Sequence, residues 1–526
     1  MESSQHHHES LSADREKSPA LVGGLRTDTL TESVVILLTL TAVQRVVGFG
    51  RAVLFCRWLE PEELGQWDMA FGFLLLAAPL AVLALPGTFG RYIEHYRQRG
   101  QLRALLRNVG LVCVVLAVPA VVLVYAARGW FSQLVFGTPA QSDLIVLLAV
   151  SLAAVIAYNT QVELFNALRN ARFVAGLHLT NSLLFASVGV GLLLAWRATA
   201  ASVVIAYGTS CLICSVVAFG RLRWAWRVMP PDGAALPRRQ LWSKLAPFAS
   251  WIVLVSLLTN LFEIADRYMI IHYSRLSATE ALALVGEYHS SRVVPLLLVS
   301  ITAMLGAMIT PHLSHDWEAG RRRQVAARLS LFRKLLAFGL TAGGVAVMFA
   351  APLLFGVAFG GKFAGGLVVL PWTLTYCIWL GITMVSHNYL WCAEKAHLAS
   401  AALLVGLVVN VCLNLLLLPR LGLLGAVLAT TLANAVALVL VLWFSHLLGF
   451  GVDRGTRVIL AAPLAICLGP WVALLVLAVI VLEAVRSDRL LSCEEKRRIA
   501  EGWGHCSAKF KGMWMSRQPL VSNENF

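Results

Sequence analysis

Charge is what this sequence has least of. Only 13% of its 526 residues are Asp, Glu, Lys or Arg, while 58% are hydrophobic and the mean hydropathy is +0.74. Soluble domains carry about a quarter charged residues, so a soluble globular protein is excluded. Also missing are the short patterns of hydrolytic or nucleotide-driven chemistry. There is no HExxH helix and no GxSxG elbow. The one GxxxxGK match, Gly356-Val357-Ala358-Phe359-Gly360-Gly361-Lys362, has Phe363 where a magnesium-binding hydroxyl is needed, and no partner motif accompanies it. It reads as a chance match, and the chain is not expected to be an enzyme. The ten cysteines offer no zinc or redox centre, because Cys211-Leu212-Ile213-Cys214 lies in mid-span without a second pair. Most of the others lie in apolar runs, where they pack as small apolar residues. His6-His7-His8 is too short to hold a metal firmly, so no metal and no cofactor are expected. Nor is there an apolar stretch of signal-peptide type in residues 1–32, which read as a polar tail.

What the chain has in quantity is apolar runs of roughly 18 to 25 residues, each long enough to cross about 30 Å of hydrocarbon. They fall near 33–56, 67–86, 108–127, 143–165, 176–196, 201–220, 247–272, 290–312, 335–355, 367–391, 398–418 and 425–447, which makes twelve. A further run, 458–485, is broken at Gly469-Pro470 and reads as two short spans, about fourteen in all. The expected fold is an all-α polytopic membrane protein. Loops after even-numbered spans hold most of the Arg and Lys, including Arg97, Arg99, Arg107, Arg239 and Arg321, whereas loops after odd-numbered spans hold about one each. Basic residues stay on the cytoplasmic side, so both termini are expected there. The net charge of +15 then needs no nucleic acid: it sets topology and meets anionic membrane lipid.

The chain also repeats itself at an offset of about 220 to 225 residues. Leu64-Gly65-Gln66-Trp67 pairs with Val285-Gly286-Glu287-Tyr288, Gly100 with Gly320, and Arg169-Asn170-Ala171 with Glu394-Lys395-Ala396, each read as lying in a loop. Six spans per unit is an even number, so the two repeats run parallel, as in many transporters. The expected organisation is a tail over 1–32, a first lobe over 33–220 and a linker over 221–246 with its turn at Pro230-Pro231-Asp232-Gly233. A second lobe follows over 247–447, then a short pair over 448–486 and a basic tail over 487–526.

Ionisable residues inside spans are the strongest functional signal, because an unpaired charge there costs at least about 2.5 kcal/mol. The first span carries Arg45 and Arg51; the seventh carries Asn260, Glu263, Asp266 and Arg267; the eighth opens with Arg292. Arg45 and Arg267 stand at nearly equivalent places in the repeat, and a planar guanidinium suits a phosphate. The four arginines are therefore candidate ligands for an anionic substrate in a central cleft. Glu263 and Arg267, four apart, equally suit mutual neutralisation, and Arg51 and Arg292 suit snorkelling to an interface. Asp266, with Glu263 and Asn260, is a candidate site for a coupling proton or sodium ion. His387, Asn388, Asn159, Gln161 and Glu163 read mainly as helix–helix hydrogen-bonding groups.

Arg45-Val46-Val47-Gly48-Phe49 and Glu62-Glu63-Leu64-Gly65-Gln66-Trp67 resemble the opening of Wzx-type polysaccharide flippases of the multidrug/oligosaccharidyl-lipid/polysaccharide exporter superfamily. Asp266-Arg267-Tyr268 and the stretch from Asn410 through Asn414 to Pro419-Arg420-Leu421-Gly422 resemble that family's later landmarks. The resemblance covers about 33–447. It implies a MATE-like pair of lobes opening inward as a V in the inner (plasma) membrane. It also implies translocation of a polyprenyl-pyrophosphate-linked oligosaccharide from the inner to the outer leaflet for surface polysaccharide assembly, by alternating access. A multidrug or small-molecule antiporter of the same superfamily is the close alternative. A membrane-embedded glycosyltransferase or polymerase is disfavoured by the short external loops.

Overall fold

Prolines and left-handed residues cut the apolar runs into helices. The computed structural model describes residues 30–231 and 236–501. Most of the expected N-terminal tail, Asp232-Gly233 of the linker turn and the basic tail beyond 501 lie outside them. The first half contains α1 (Leu30–Trp58), α2 (Pro61–Ala81), α3 (Phe89–Gln98), α4 (Leu102–Ala126), α5 (Arg128–Phe136), α6 (Ser142–Ala167), α7 (Ala171–Ala195) and α8 (Ala200–Val228). The second contains α9 (Arg238–Tyr273), α10 (Ala278–Arg292), α11 (Pro295–Glu318), α12 (Arg322–Leu353), α13 (Ala364–Cys392), α14 (Ala396–Leu421) and α15 (Leu423–Leu447). Then come α16 (Arg454–Ala461), continued by a 3-10 segment to Leu468, and α17 (Pro470–Arg486). Among the described residues twelve helices are long and apolar enough to cross a membrane. The chain is a multi-pass membrane protein. Over the 458–485 run the chain reverses at Gly469 (φ 115) so that the 3-10 segment packs back on α17, and neither piece is among those twelve helices.

Several helices run past their expected bounds, as at Arg238 and Arg322, and two spans differ in how they begin or break. The second begins at Pro61 rather than 67: proline suits the first helical position, and Glu62 and Glu63 complement the helix dipole there. The eighth is two helices. A capping box between Ser277 and Glu280 starts α10, and the chain breaks before Pro295, which has no N–H to continue it. The Gly65 and Gly286 tetrapeptides, expected in loops, therefore lie inside α2 and α10.

The duplication is visible in the packing. In both halves the first membrane-crossing helix packs on the fifth (α1 on α7, α9 on α14), the fourth on the sixth (α6 on α8, α13 on α15), and the fifth on the sixth. Left-handed residues recur in step as well. Gly100 (φ 64) and Gly320 (φ 73) follow α3 and α11, while Arg169 (φ 60) and Glu394 (φ 58) follow α6 and α13. A non-glycine residue in that region is uncommon, so its recurrence at the matched place is a strong sign of common descent.

The halves meet most closely where α2 crosses α10, near the sparsely charged face. A Cβ on Gly65 would lie 1.8 Å from the Leu282 carbonyl oxygen, and one on Gly286 would lie 1.9 Å from that of Pro61. Each glycine thus admits the other helix's backbone, as small residues do in membrane interfaces. The GxxxxGK run is part of the same closure. No strand precedes it; Lys362 Nζ lies 2.7 Å from Glu60 Oε1, and Arg57 donates to the Val357 carbonyl at 2.7 Å. On the basic face the halves touch again, where Tyr92 Oη donates to the Lys244 carbonyl at 3.1 Å and the Arg91 guanidinium lies 4.8 Å from the Phe248 ring centre. On this flank the halves are thus in contact near both faces.

At the foot of α12, Lys334 is buried and paired with Asp453 at 2.8 Å and Glu495 at 2.9 Å. These bonds hold the segment after α17 against the second half.

Gly65→Ala and Gly286→Ala are each expected to destabilise by about 1–3 kcal/mol, because the intruding methyl meets backbone that has no rotamer to change. Gly176→Ala, with nothing within 4 Å of its Cβ, is the control and should melt at or above wild type. Equal melting temperatures for all three in detergent would show that the crossing is not tight.

Candidate functional site

One turn beyond the glycine crossing, each helix presents a titratable residue to the other. Asp68 follows Gly65 by three positions on α2, and His289 follows Gly286 by three on α10, with His289 Nδ1 2.8 Å from Asp68 Oδ1. The two stand 221 residues apart, the separation of the glycines, so they are repeat mates meeting on the pseudo-two-fold axis. Asp68 is 3% exposed and takes two further partners from the second half: Arg267 Nη1 lies 3.2 Å from Oδ1, and Arg292 Nη1 lies 3.6 Å from Oδ2. Glu263, half-exposed, approaches both guanidiniums, at 4.0 Å from Arg267 and 3.9 Å from Arg292.

Each expected residue can now be placed. Arg267 and Arg292 are 2% and 6% exposed and are engaged in this cluster. Arg45 is exposed and lines a cavity of about 380 Å3 between the halves. Arg51 lines the same cavity, its guanidinium 4.0 Å above the Phe185 ring in a cation–π contact. Trp67, Phe71, Phe185 and Tyr207 form its aromatic wall, with neighbouring ring centres 5.2 to 6.0 Å apart. Arg45 and Arg267 thus open onto different surroundings. Asp266 is buried beneath a second cavity of about 580 Å3 in the second half, which Glu263 and Arg292 also line. Its Oδ1 accepts from the Arg267 backbone N–H at 2.9 Å and its Oδ2 from Thr430 Oγ1 at 3.3 Å. Asn410 donates to Thr430 at 3.1 Å, Asn414 donates to Asn410 at 3.2 Å, and the buried Asn414 Oδ1 has no hydrogen-bond partner. Asn260 bonds Ser256 on its own helix, away from this set.

Asp68 did not emerge from the sequence, although a signal was there. Extending the matched tetrapeptides by one residue sets Asp68 against His289, two polar residues where membrane spans should be apolar. Asn388 bonds Thr310 on the neighbouring α11 at 2.7 Å, in keeping with a helix–helix role. Among the described residues no three or more His, Cys, Asp and Glu side chains gather as a metal site.

A bundle of two similar halves around interfacial cavities is the architecture of transporters in the multidrug/oligosaccharidyl-lipid/polysaccharide exporter superfamily, and solved structures share it. A lipid II flippase, MurJ, in an inward closed conformation superposes with a TM-score of 0.64 at 12% identity, over 85% of this chain and 98% of that one. An inward-facing multidrug resistance MATE family transporter gives 0.60 at 15% identity over 79% and 97%. A superfamily transporter from Pyrococcus furiosus, described as having a binding pocket of reversed polarity, gives 0.58 at 14% over 82% and 98%. None of the curated proteins matches the chain in sequence. The chain belongs to the polysaccharide biosynthesis protein family, whose model matches residues 30–317.

Asp68→Asn leaves Arg267 and Arg292 facing a neutral amide and is expected to destabilise the fold by about 3–5 kcal/mol. Because Asp68 and His289 stand on one axis, the exchange Asp68→His/His289→Asp should recover more than half of that loss. Thermal unfolding in detergent checks both, and an Asp68→Asn protein as stable as wild type would show that the cluster carries no structural load.

Proposed function

We propose that this protein translocates a polyprenyl-pyrophosphate-linked oligosaccharide from the inner to the outer leaflet of the plasma membrane, by alternating access between its two halves. The observation that carries this reading is the lining of the cavity between the halves: it contains Arg45 and Arg51 and no carboxylate. A cationic drug would meet two like charges there, whereas a pyrophosphate would meet two planar donors that stay charged when water leaves. The family, defined by polysaccharide biosynthesis, supports a lipid-linked sugar as the source of that phosphate. Under this reading the basic face is cytoplasmic, with both termini on that side, and the closed α2–α10 crossing is the outer gate.

Arg267 and Arg292 belong to the gate and reach the cargo only once Asp68 releases them. The charge count of the cluster supports ion coupling. Asp68, Glu263 and Asp266 set three carboxylates against the two guanidiniums of Arg267 and Arg292 and the imidazole of His289, which a proton would charge. One proton on His289 therefore balances the cluster, and without it a monovalent cation could take its place. Asp266, with the Thr430 hydroxyl and the unpartnered Asn414 amide oxygen nearby, offers such a cation an oxygen donor set.

Reconstitution into liposomes with a fluorescent lipid-linked oligosaccharide, scored by exposure in the second leaflet, tests the reading. Arg45→Ala/Arg51→Ala is expected to slow translocation roughly 100-fold, since each lost charge-assisted contact removes about 1.5 kcal/mol. A double variant that moves lipid at the wild-type rate sinks the pyrophosphate site.

A further inference from the structure

We propose that the groove between the basic-face ends of α11 and α12 is a binding site for an anionic phospholipid. It encloses about 670 Å3, more than either cavity described above, and its third wall is the segment after α17, which contributes Arg498. Its floor is apolar: Ile309, Leu331, Phe332 and Leu335, the last 45% exposed. Its rim is polar and basic, formed by His312, Gln324, Arg328 and Arg498.

The two sets are ordered along the helix. Seven residues of α12 separate Arg328 from Leu335, about 10 Å of rise, and over that distance the lining passes from charged to apolar. A phospholipid makes the same passage from phosphate to acyl chain. The rim also keeps an excess of positive charge. Asp316, buried, is shared by Arg321, whose Nη2 lies 2.7 Å from it, and by Arg328, so one carboxylate faces two guanidiniums. Among the described residues Arg498 pairs only with the exposed Glu494. Both rim arginines stay accessible, with side chains 47% and 35% exposed. The third wall is fixed rather than incidental, because Lys334 holds Glu495 through two hydrogen bonds of 3.0 and 2.9 Å. A free phosphate ester would leave the apolar floor uncovered, and a zwitterionic lipid would leave the rim charge uncompensated. Basic pockets between membrane helices are recognised sites for anionic headgroups on the cytoplasmic leaflet. None of this depends on the cargo, because the groove shares no lining residue with the Arg45–Arg51 cavity.

Native mass spectrometry of the full-length protein titrated in detergent with phosphatidylglycerol or phosphatidylcholine tests the site. Wild type should bind phosphatidylglycerol in preference, and millimolar glycerol phosphate should not displace it. At about 1 kcal/mol per basic residue, Arg498→Gln is expected to weaken phosphatidylglycerol binding roughly fivefold and Arg328→Gln/Arg498→Gln roughly thirtyfold. Arg328→Lys/Arg498→Lys should keep it. The charge-matched control Arg99→Gln/Arg107→Gln, at exposed residues of the first half, should bind as wild type does. Arg498 lies on the surface and its loss leaves no buried partner, so the single variant reads binding even where the double variant folds poorly. Equal binding of the two lipids, displacement by glycerol phosphate, or an Arg498→Gln variant and its double both indistinguishable from the control would overturn the proposal.

Discussion

The distance between two backbones at Gly65 and Gly286 governs the interface between the halves. A side chain at either position would push α2 from α10, and groups one turn deeper would lose contact. Asp68 reaches His289 at 2.8 Å and Arg267 at 3.2 Å only because the helices touch where they do. In lipid there is no hydrophobic drive to press helices together, so close packing and polar contacts must do it. Here the two are stacked, the packing contact next to the face with few charges and the ionic one behind it.

That stacking explains the uneven fate of the four arginines. Arg267 and Arg292 are buried, and each has an acid within reach, as a charge in a membrane interior requires. Arg45 and Arg51 have no acid partner among the described residues, but one lies exposed in the interfacial cavity and the other rests on an aromatic ring. One pair is engaged across the α2–α10 crossing, and the other is not. Under the proposed transport function, opening that crossing would expose a second cationic surface.

Much of this was legible in the sequence, because in a membrane protein length and hydropathy are nearly sufficient to mark a span, and basic loops mark a face. The twelve long helices follow directly. Helix bounds around Pro61 and Pro295 were harder, since span length does not say whether a proline starts, breaks or ends a helix. The glycine pair was legible as a repeat but not as a contact: that two matched segments touch is a property of the axis relating them. Partner choice was illegible for the same reason. The spacing of Glu263 and Arg267 pointed to a local ion pair, yet Arg267 takes the backbone carbonyl of Glu263 at 2.8 Å, and the carboxylate nearer to it is that of Asp68, 199 residues earlier.

The meeting of Asp68 with His289 has a consequence for how such a chain came to be. Two identical subunits related by a two-fold axis must place the same residue on both sides of it, so an acid could face only an acid, and an imidazole only an imidazole. Joining the copies in one polypeptide lifts that restriction, because each side then mutates alone. An acid set against a base at the centre of the molecule is a contact no homodimer of either half could make. Fusion thereby gave the axis a polarity, and with it a place where a single proton can distinguish one half from the other.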